Sequence, residues 1–294
     1  MKKEDLVHHV ATVKGLRRLR DETPDPADRA EEFHEASKFH RATFGRMVHH
    51  QRLSVDPDVA AGARLGARTL SHLPQRPLDR DDFEAASRDP RFASLVRAPS
   101  CRTFTGEALP PQVLSRLLGL SYGAYPQKAA TGRRRRPLPS GGALYPLEIY
   151  VVGDVDGSGN KGAYHYNVLD HALEEVQRGL PAEAVRGLGI QQDLLENAAL
   201  IVIITAVFNR SRFKYGPRGY RFCLMEAGSL IQQLQLVAQA LGLGSVAFAG
   251  LLDDAVEDLL RIDGVDESFV NAVLVGRTSV DAKLGEGASG AQTT

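Results

Sequence analysis

Two kinds of apolar pattern alternate along the second half of the chain. Short continuous runs rich in β-branched and aromatic residues predict strands at Leu147 to Val152, Ala199 to Phe208, Ser245 to Gly250 and Phe269 to Val275. The run at 199–208, ALIVIITAVF, is almost without polar positions, which is the pattern of a strand buried on both faces at the centre of a sheet. Ala163 to Tyr166 and Ala172 to Val176 predict a hairpin beside the first strand. Helical spacing appears at Leu109 to Leu120, with Leu114, Leu117 and Leu118 on one face. It appears again after Arg221, where Leu224, Ala227, Ile231, Leu234, Ala238 and Leu241 form a stripe and Gly228 admits a close neighbour. Gly242 and Gly244 end that helix, and Asp253 reads as the N-cap of another running to Leu260.

The first ninety residues are less regular. Short helical patterns alternate with Pro24, Pro26, Pro57, Pro74 and Pro77, and Ala27 to Met47 reads as one amphipathic helix. The tail from Asp281 has little to bury and is expected to be disordered. Lys+Arg and Asp+Glu both number 36, so no excess charge points to nucleic acid or to a membrane surface, and specificity must come from a local site. No apolar h-region follows Met1, and the longest apolar run is too short to span a bilayer. Cys101 and Cys223 have no CxxC or histidine companions. A reduced, cytoplasmic setting without disulfides or a metal is the expectation. His8, His9, His34, His40, His49 and His50 fit solvated helix faces, since no HExxH-type spacing accompanies them. Gly157 to Gly162 satisfies GxGxxG, but it joins two strands with no helix following, so it reads as a turn and not as a dinucleotide site.

The sharpest change of character lies at Arg134 to Val152, where a basic tract passes through Pro137-Leu138-Pro139-Ser140-Gly141-Gly142-Ala143 into a strand. Gly141, Gly142 and Ala143 carry no bulk, so their backbone N–H groups can approach the edge of a planar ring. The same residues also fit an ordinary loop entering a buried strand, and Arg133 to Arg136 read as a solvated loop. A second candidate follows the central strand: Lys214-Tyr215, ahead of Arg218-Gly219-Tyr220-Arg221. An ammonium beside a phenol favours the phenolate and makes a plausible base, although the pair also fits the ordinary start of a helix.

The string PSGGALYPLEIYVV resembles the hallmark of SagB-type dehydrogenases, a branch of the FMN-dependent nitroreductase superfamily that oxidises thiazolines and oxazolines in ribosomal peptides. Ser100-Cys101-Arg102 resembles the family's phosphate-binding opening, with Pro99 standing where the family has an arginine and Arg97 nearby. Val275-Gly276-Arg277 resembles its closing motif, and Phe33 to Lys38 resembles a YHxxSK-like segment found ahead of its core.

The resemblance, spanning residues 95 to 280, implies an α+β nitroreductase-like fold with a central mixed sheet flanked by helices. A helical N-terminal region over 1–94 would precede it, and a disordered tail over 281–294 would follow. It implies a homodimer with FMN at the subunit interface, held by Ser100, Arg102, Pro139, Ser140, Gly141, Gly142, Ala143, Gly250 and Arg277. Lys214 and Tyr215 are then the catalytic pair. The implied reaction is oxidation of an azoline to an azole in a modified precursor peptide, with a cyclodehydratase complex as partner. A general NAD(P)H-dependent nitro or quinone reductase and a non-catalytic flavoprotein scaffold are the alternatives.

Overall fold

The computed structural model describes residues 29–42, 57–67, 70–125 and 135–278. The end of the first predicted helix, Arg133-Arg134 and the tail from Asp281 lie outside them. The chain divides into two compact units, one of residues 39–96 and one joining the segment before 39 to everything from 97 onward. Helix α1 (Arg29–Ser37) belongs to the larger unit. It is shorter than the helix expected to run to Met47, because after Ser37 the chain leaves the helix and Lys38 is buried. Nor does it belong to a separate N-terminal region, since Ala30, His34 and Lys38 form a buried or half-buried stripe on the core unit. The smaller unit carries α2 (Pro57–Leu65), α3 (Arg80–Arg88) and α4 (Pro90–Ala93). Asp79 and Asp89 cap α3 and α4 by accepting the N–H groups of Asp82 and Arg91.

The larger unit continues through α5 (Pro111–Tyr122), β1 (Leu147–Gly153), β2 (Lys161–Asn167) and β3 (Ala172–Leu180), then α6 (Ala182–Gly187), α7 (Gln192–Asn197) and β4 (Leu200–Ala206). It ends with α8 (Asn209–Tyr215), α9 (Arg218–Ala240), β5 (Gly244–Phe248), α10 (Asp253–Leu260) and β6 (Ser268–Gly276). One sheet forms in the order β3-β2-β1-β4-β6-β5, with β4 central as its apolar run requires. The helices flank it as expected, but every pairing is antiparallel and not mixed. The long helical crossover from β4 to β5 does make those two strands parallel. However, β6 inserts between them and runs against both, so no parallel pair is hydrogen-bonded.

Alternation along β4 divides the core. Leu200, Val202, Ile204 and Ala206 face α5 and α9, whereas Ile201 and Ile203 face α6, α7 and α10. On α9 the buried stripe is Cys223, Ala227, Leu230, Leu234 and Ala238, so Leu224 lies rotated toward solvent. Gly228, read as a contact point, is exposed, and a Cβ there would meet nothing within 4 Å. Leu252 has the extended backbone of the α10 cap, which puts Asp253 inside the helix instead of at its N-cap. In the 157–162 loop, Gly157 and Gly159 adopt positive φ and donate to the Asp154 carboxylate at 2.8 Å each, closing a hairpin with no helix after it. Among the described residues no helix is long and apolar enough to cross a membrane.

Candidate active site

The small-residue segment before β1 folds as a strained turn. Gly142, Ala143 and Tyr145 have φ of 64°, 53° and 47°, so two residues with side chains occupy the left-handed region within four positions. Such conformations cost on the order of 1–3 kcal/mol each and persist only where the surroundings hold them. Here the Ser140 carbonyl accepts the Ala143 N–H at 2.9 Å, and the Ser140 hydroxyl oxygen accepts the Tyr145 N–H at 2.8 Å. Beneath the turn lies the buried Glu226, which accepts hydrogen bonds from Tyr122 (2.9 Å) and Ser140. Burial raises the Glu226 pKa against the lowering effect of those donors. Arg136 is not part of a solvated loop, because its guanidinium lies 4.6 Å from the Tyr122 ring centre and 4.3 Å from that of Tyr145.

The α8–α9 corner delivers the second group. Gly216, at φ 56° and ψ −146°, takes a conformation open essentially to glycine alone. A Cβ on Gly219 would sit 2.7 Å from the Arg212 nitrogen, so α9 starts directly against the α8 backbone. The Gly-Pro-Arg-Gly spacing thereby turns the chain sharply after Tyr215. Lys214 and Tyr215 close α8 at its C-terminal end instead of starting a helix. Their tips converge on the turn: a Cβ on Gly142 would lie 2.7 Å from Tyr215 Oη and 3.0 Å from Lys214 Nζ. Phe222 packs edge-on against the Tyr215 ring at 5.0 Å and lies under Gly141. Lys214 is exposed and Tyr215 half-buried, which leaves both available to a ligand lying on the turn.

Half-buried charge ties this helix to the strands. Arg210 on α8 pairs with Glu148 on β1 and donates to the Tyr145 carbonyl at 3.4 Å. His165 on β2 lies between Glu148 (3.1 Å) and Glu174 (2.9 Å). Burial opposes ionisation of Glu148, but Arg210 and His165 outweigh it and hold its pKa at about 2. Burial likewise opposes the imidazolium, and Glu148 with Glu174 overcomes it, raising His165 to about 9. Sequence reasoning missed Glu148, Arg210, Arg136 and Glu226. The one available signal was a lone charge inside an otherwise apolar pattern, which Glu148 and Glu226 both show.

The expected phosphate ligands gather elsewhere. The Cys101 N–H bonds the Ser245 carbonyl at 3.0 Å, and the Thr105 N–H bonds that of Arg277 at 3.1 Å. Ser100 and Arg102 are therefore held beside the start of β5 and the end of β6, where Arg277 emerges. Arg97 Nη1 donates to Ser100 Oγ at 3.2 Å, and Arg277 is half exposed opposite Glu107 at 3.6 Å. A hydroxyl and several permanently charged guanidiniums suit a phosphate. This cluster sits where β4 begins, and the Gly142–Lys214–Tyr215 group sits where β4 ends. Seven strand residues, about 20 Å, separate the two. Pro139 is exposed just ahead of the turn. Gly250 joins neither group: it follows β5, presses on Gly189, and accepts the Ile190 N–H at 3.1 Å.

This fold, with a strained turn at one end of the sheet and an arginine cluster at the other, is that of the nitroreductases. Residues 97–277 match the Nitroreductase family, to which the chain belongs. Within that family it is 31% identical over 224 residues to the microcin B17-processing protein McbC of Escherichia coli, spanning 70% of this chain and 79% of McbC. It is 33% identical over 156 residues to the trifolitoxin-processing protein TfxB of Rhizobium leguminosarum bv. trifolii, spanning 50% of this chain and 41% of TfxB. A chain of the E. coli microcin synthetase McbBCD complex with truncated pro-MccB17 bound shares the fold. The TM-score is 0.70 at 24% identity, over 90% of this chain and 97% of that one.

Proposed function

We propose that the protein is an FMN-dependent azoline dehydrogenase that oxidises thiazolines or oxazolines in a ribosomally made precursor peptide. The observation that carries this reading is the convergence of Lys214 Nζ and Tyr215 Oη on Gly142, in a strained turn that begins with two glycines. Likeness to two peptide-processing proteins of natural-product biosynthesis supports a peptide substrate, and likeness to a chain of the McbBCD complex supports work within a synthetase complex.

The residues fit FMN. Gly141 and Gly142 seat the Phe222 ring and the Lys214 and Tyr215 tips where a Cβ would lie, and the Ser100, Arg102, Arg277 and Arg97 set suits the FMN phosphate. FMN, if bound there, would supply the acceptor for the hydride that leaves the ring, and dioxygen would serve as the terminal oxidant. Aromatisation also releases a proton, and the Lys214–Tyr215 pair takes it. Gly141 and Gly142 let a flat ring lie against backbone, and Phe222 fixes the Tyr215 ring. Because the two half-sites lie at opposite ends of one sheet, a two-fold dimer that sets the arginine cluster of one subunit against the turn of the other completes the site.

The test is mass spectrometry of an azoline-bearing peptide, following loss of two mass units. Tyr215→Phe and Lys214→Ala should each lower turnover by about 10²- to 10⁴-fold while keeping bound FMN. The double variant should lose far less than the product of the single losses. Near-normal turnover in both single variants would move the assignment to a general reductase, and colourless protein that takes up no FMN would end the enzymatic reading.

A further inference from the structure

Helix α1 and the residue just after it present one inward stripe, Ala30, His34 and Lys38, at successive spacings of four. Its polar members are joined to α9, which follows directly on the helix carrying Lys214 and Tyr215, and to the α10–β6 segment. Tyr220, in the first turn of α9, lies 3.1 Å from His34 Nδ1, and Ser268 Oγ lies 2.7 Å from His34 Nε2. The Ser268 hydroxyl donates its only proton to Glu257 at 2.7 Å, so its oxygen must accept from His34. That fixes the tautomer: Nε2 carries the hydrogen, and Nδ1 accepts from the Tyr220 hydroxyl. Burial, and then the nearby Lys38 ammonium, lower the His34 pKa and keep the ring neutral. Lys38 finishes the strap, donating to the Gly264 carbonyl at 2.7 Å and pairing with Glu35 and Glu257.

A second tether grips the other side of the corner. Arg212, two residues before Lys214 on α8, donates to Glu31 at 2.5 Å. Phe208, at the N-cap of α8, stacks on Tyr220 at 4.7 Å and meets the His34 ring at 5.0 Å. A seven-residue helix is too short to be stable alone, so the placement of α8 depends on what it is packed against.

We infer that α1 is a clamp on the α8–α9 corner and that His34 is a positioning residue, which through Tyr220 holds Lys214 and Tyr215 against the Gly142 turn. This rests on the dehydrogenase reading for the chemistry, but not for the mechanical link.

The experiment compares full-length, FMN-loaded wild type with His34→Ala, His34→Gln, Tyr220→Phe and the His34→Ala/Tyr220→Phe double variant. Hydrogen exchange and azoline oxidation are measured on the same samples. His34→Ala should speed exchange across 209–222 while leaving the β4 amides protected as in wild type, with FMN retained. Its kcat should fall by roughly 10- to 100-fold with KM little changed, since misplacement by about 1 Å costs on that order. Tyr220→Phe should act in the same direction and add little to His34→Ala. His34→Gln, whose amide can still donate to Ser268, should recover part of the loss.

Unchanged exchange over 209–222 in folded His34→Ala would overturn the clamp, as would a rise spread evenly over the sheet. If His34→Ala does not fold, Tyr220→Phe decides by the same exchange criterion. Wild-type protein without azoline oxidation would end the dehydrogenase reading alone, because the exchange comparison stands without it.

Discussion

Gly142 shows how little freedom the site has at the level of single residues. Its φ of 64° disfavours any side chain, and the point a Cβ would occupy is shared by the tips of Lys214 and Tyr215. Gly142→Ala should therefore destabilise the fold by about 1–2 kcal/mol in urea denaturation, from the left-handed backbone alone. It should also lower azoline turnover more than that loss explains, because the methyl group displaces the phenol. A variant of wild-type turnover would show that the pair does not work at the turn. At the other half-site, Arg102→Ala should weaken FMN binding by about 1.5–3 kcal/mol in a fluorescence titration if its guanidinium bonds the phosphate. Unchanged affinity would return Arg102 to the role of a surface charge.

Among the elements, α8 stands out because its position is set by charge as well as by packing. Arg210 reaches Glu148, and Glu148 reaches His165, so one half-buried chain of charges joins α8 to β1 and β2. His165 holds its proton more tightly folded, at about 9, than the ordinary value of 6.5 for an exposed imidazole. Its stabilisation is therefore complete below about 6.5 and is lost as pH rises through about 9. The melting temperature should fall across that interval, and His165→Gln should flatten the dependence. Loss of stability on acidification over the same range would contradict the assignment. Strand and helix placement was largely readable from periodicity, but Leu224 shows its limit. A stripe drawn through apolar residues alone comes out rotated when Glu226 and Gln235 are buried in the same face.

For the whole molecule, the decisive feature is the separation of the two half-sites by the length of β4. A dimer with shared sites predicts complementation between two inactive chains. One would carry Arg102→Ala and Arg277→Ala, and the other Lys214→Ala and Tyr215→Phe. Dissociated and reassociated together, they should regain about a quarter of wild-type turnover, since half the dimers are mixed and each mixed dimer has one intact site. No recovery, with mixed dimers demonstrated by mass spectrometry, would place each complete site within one chain.

The chain's own residue order determined the central strand, the helix spacing and the small-residue turn, because these depend on local periodicity and steric freedom. It also contained both halves of the candidate site as separate motifs. Tertiary structure decided the rest. Lys214 and Tyr215 meet Gly142 only after a 72-residue separation in sequence is closed by the return of β4 beside β1. Ser100 and Arg102 meet Arg277 only because their segment bonds to the ends of β5 and β6. The antiparallel sheet, the buried Glu226 and the seating of His34 against Tyr220 were equally beyond local reading. Strand direction, the satisfaction of a buried carboxylate and the docking of a distant helix all depend on partners far away along the chain.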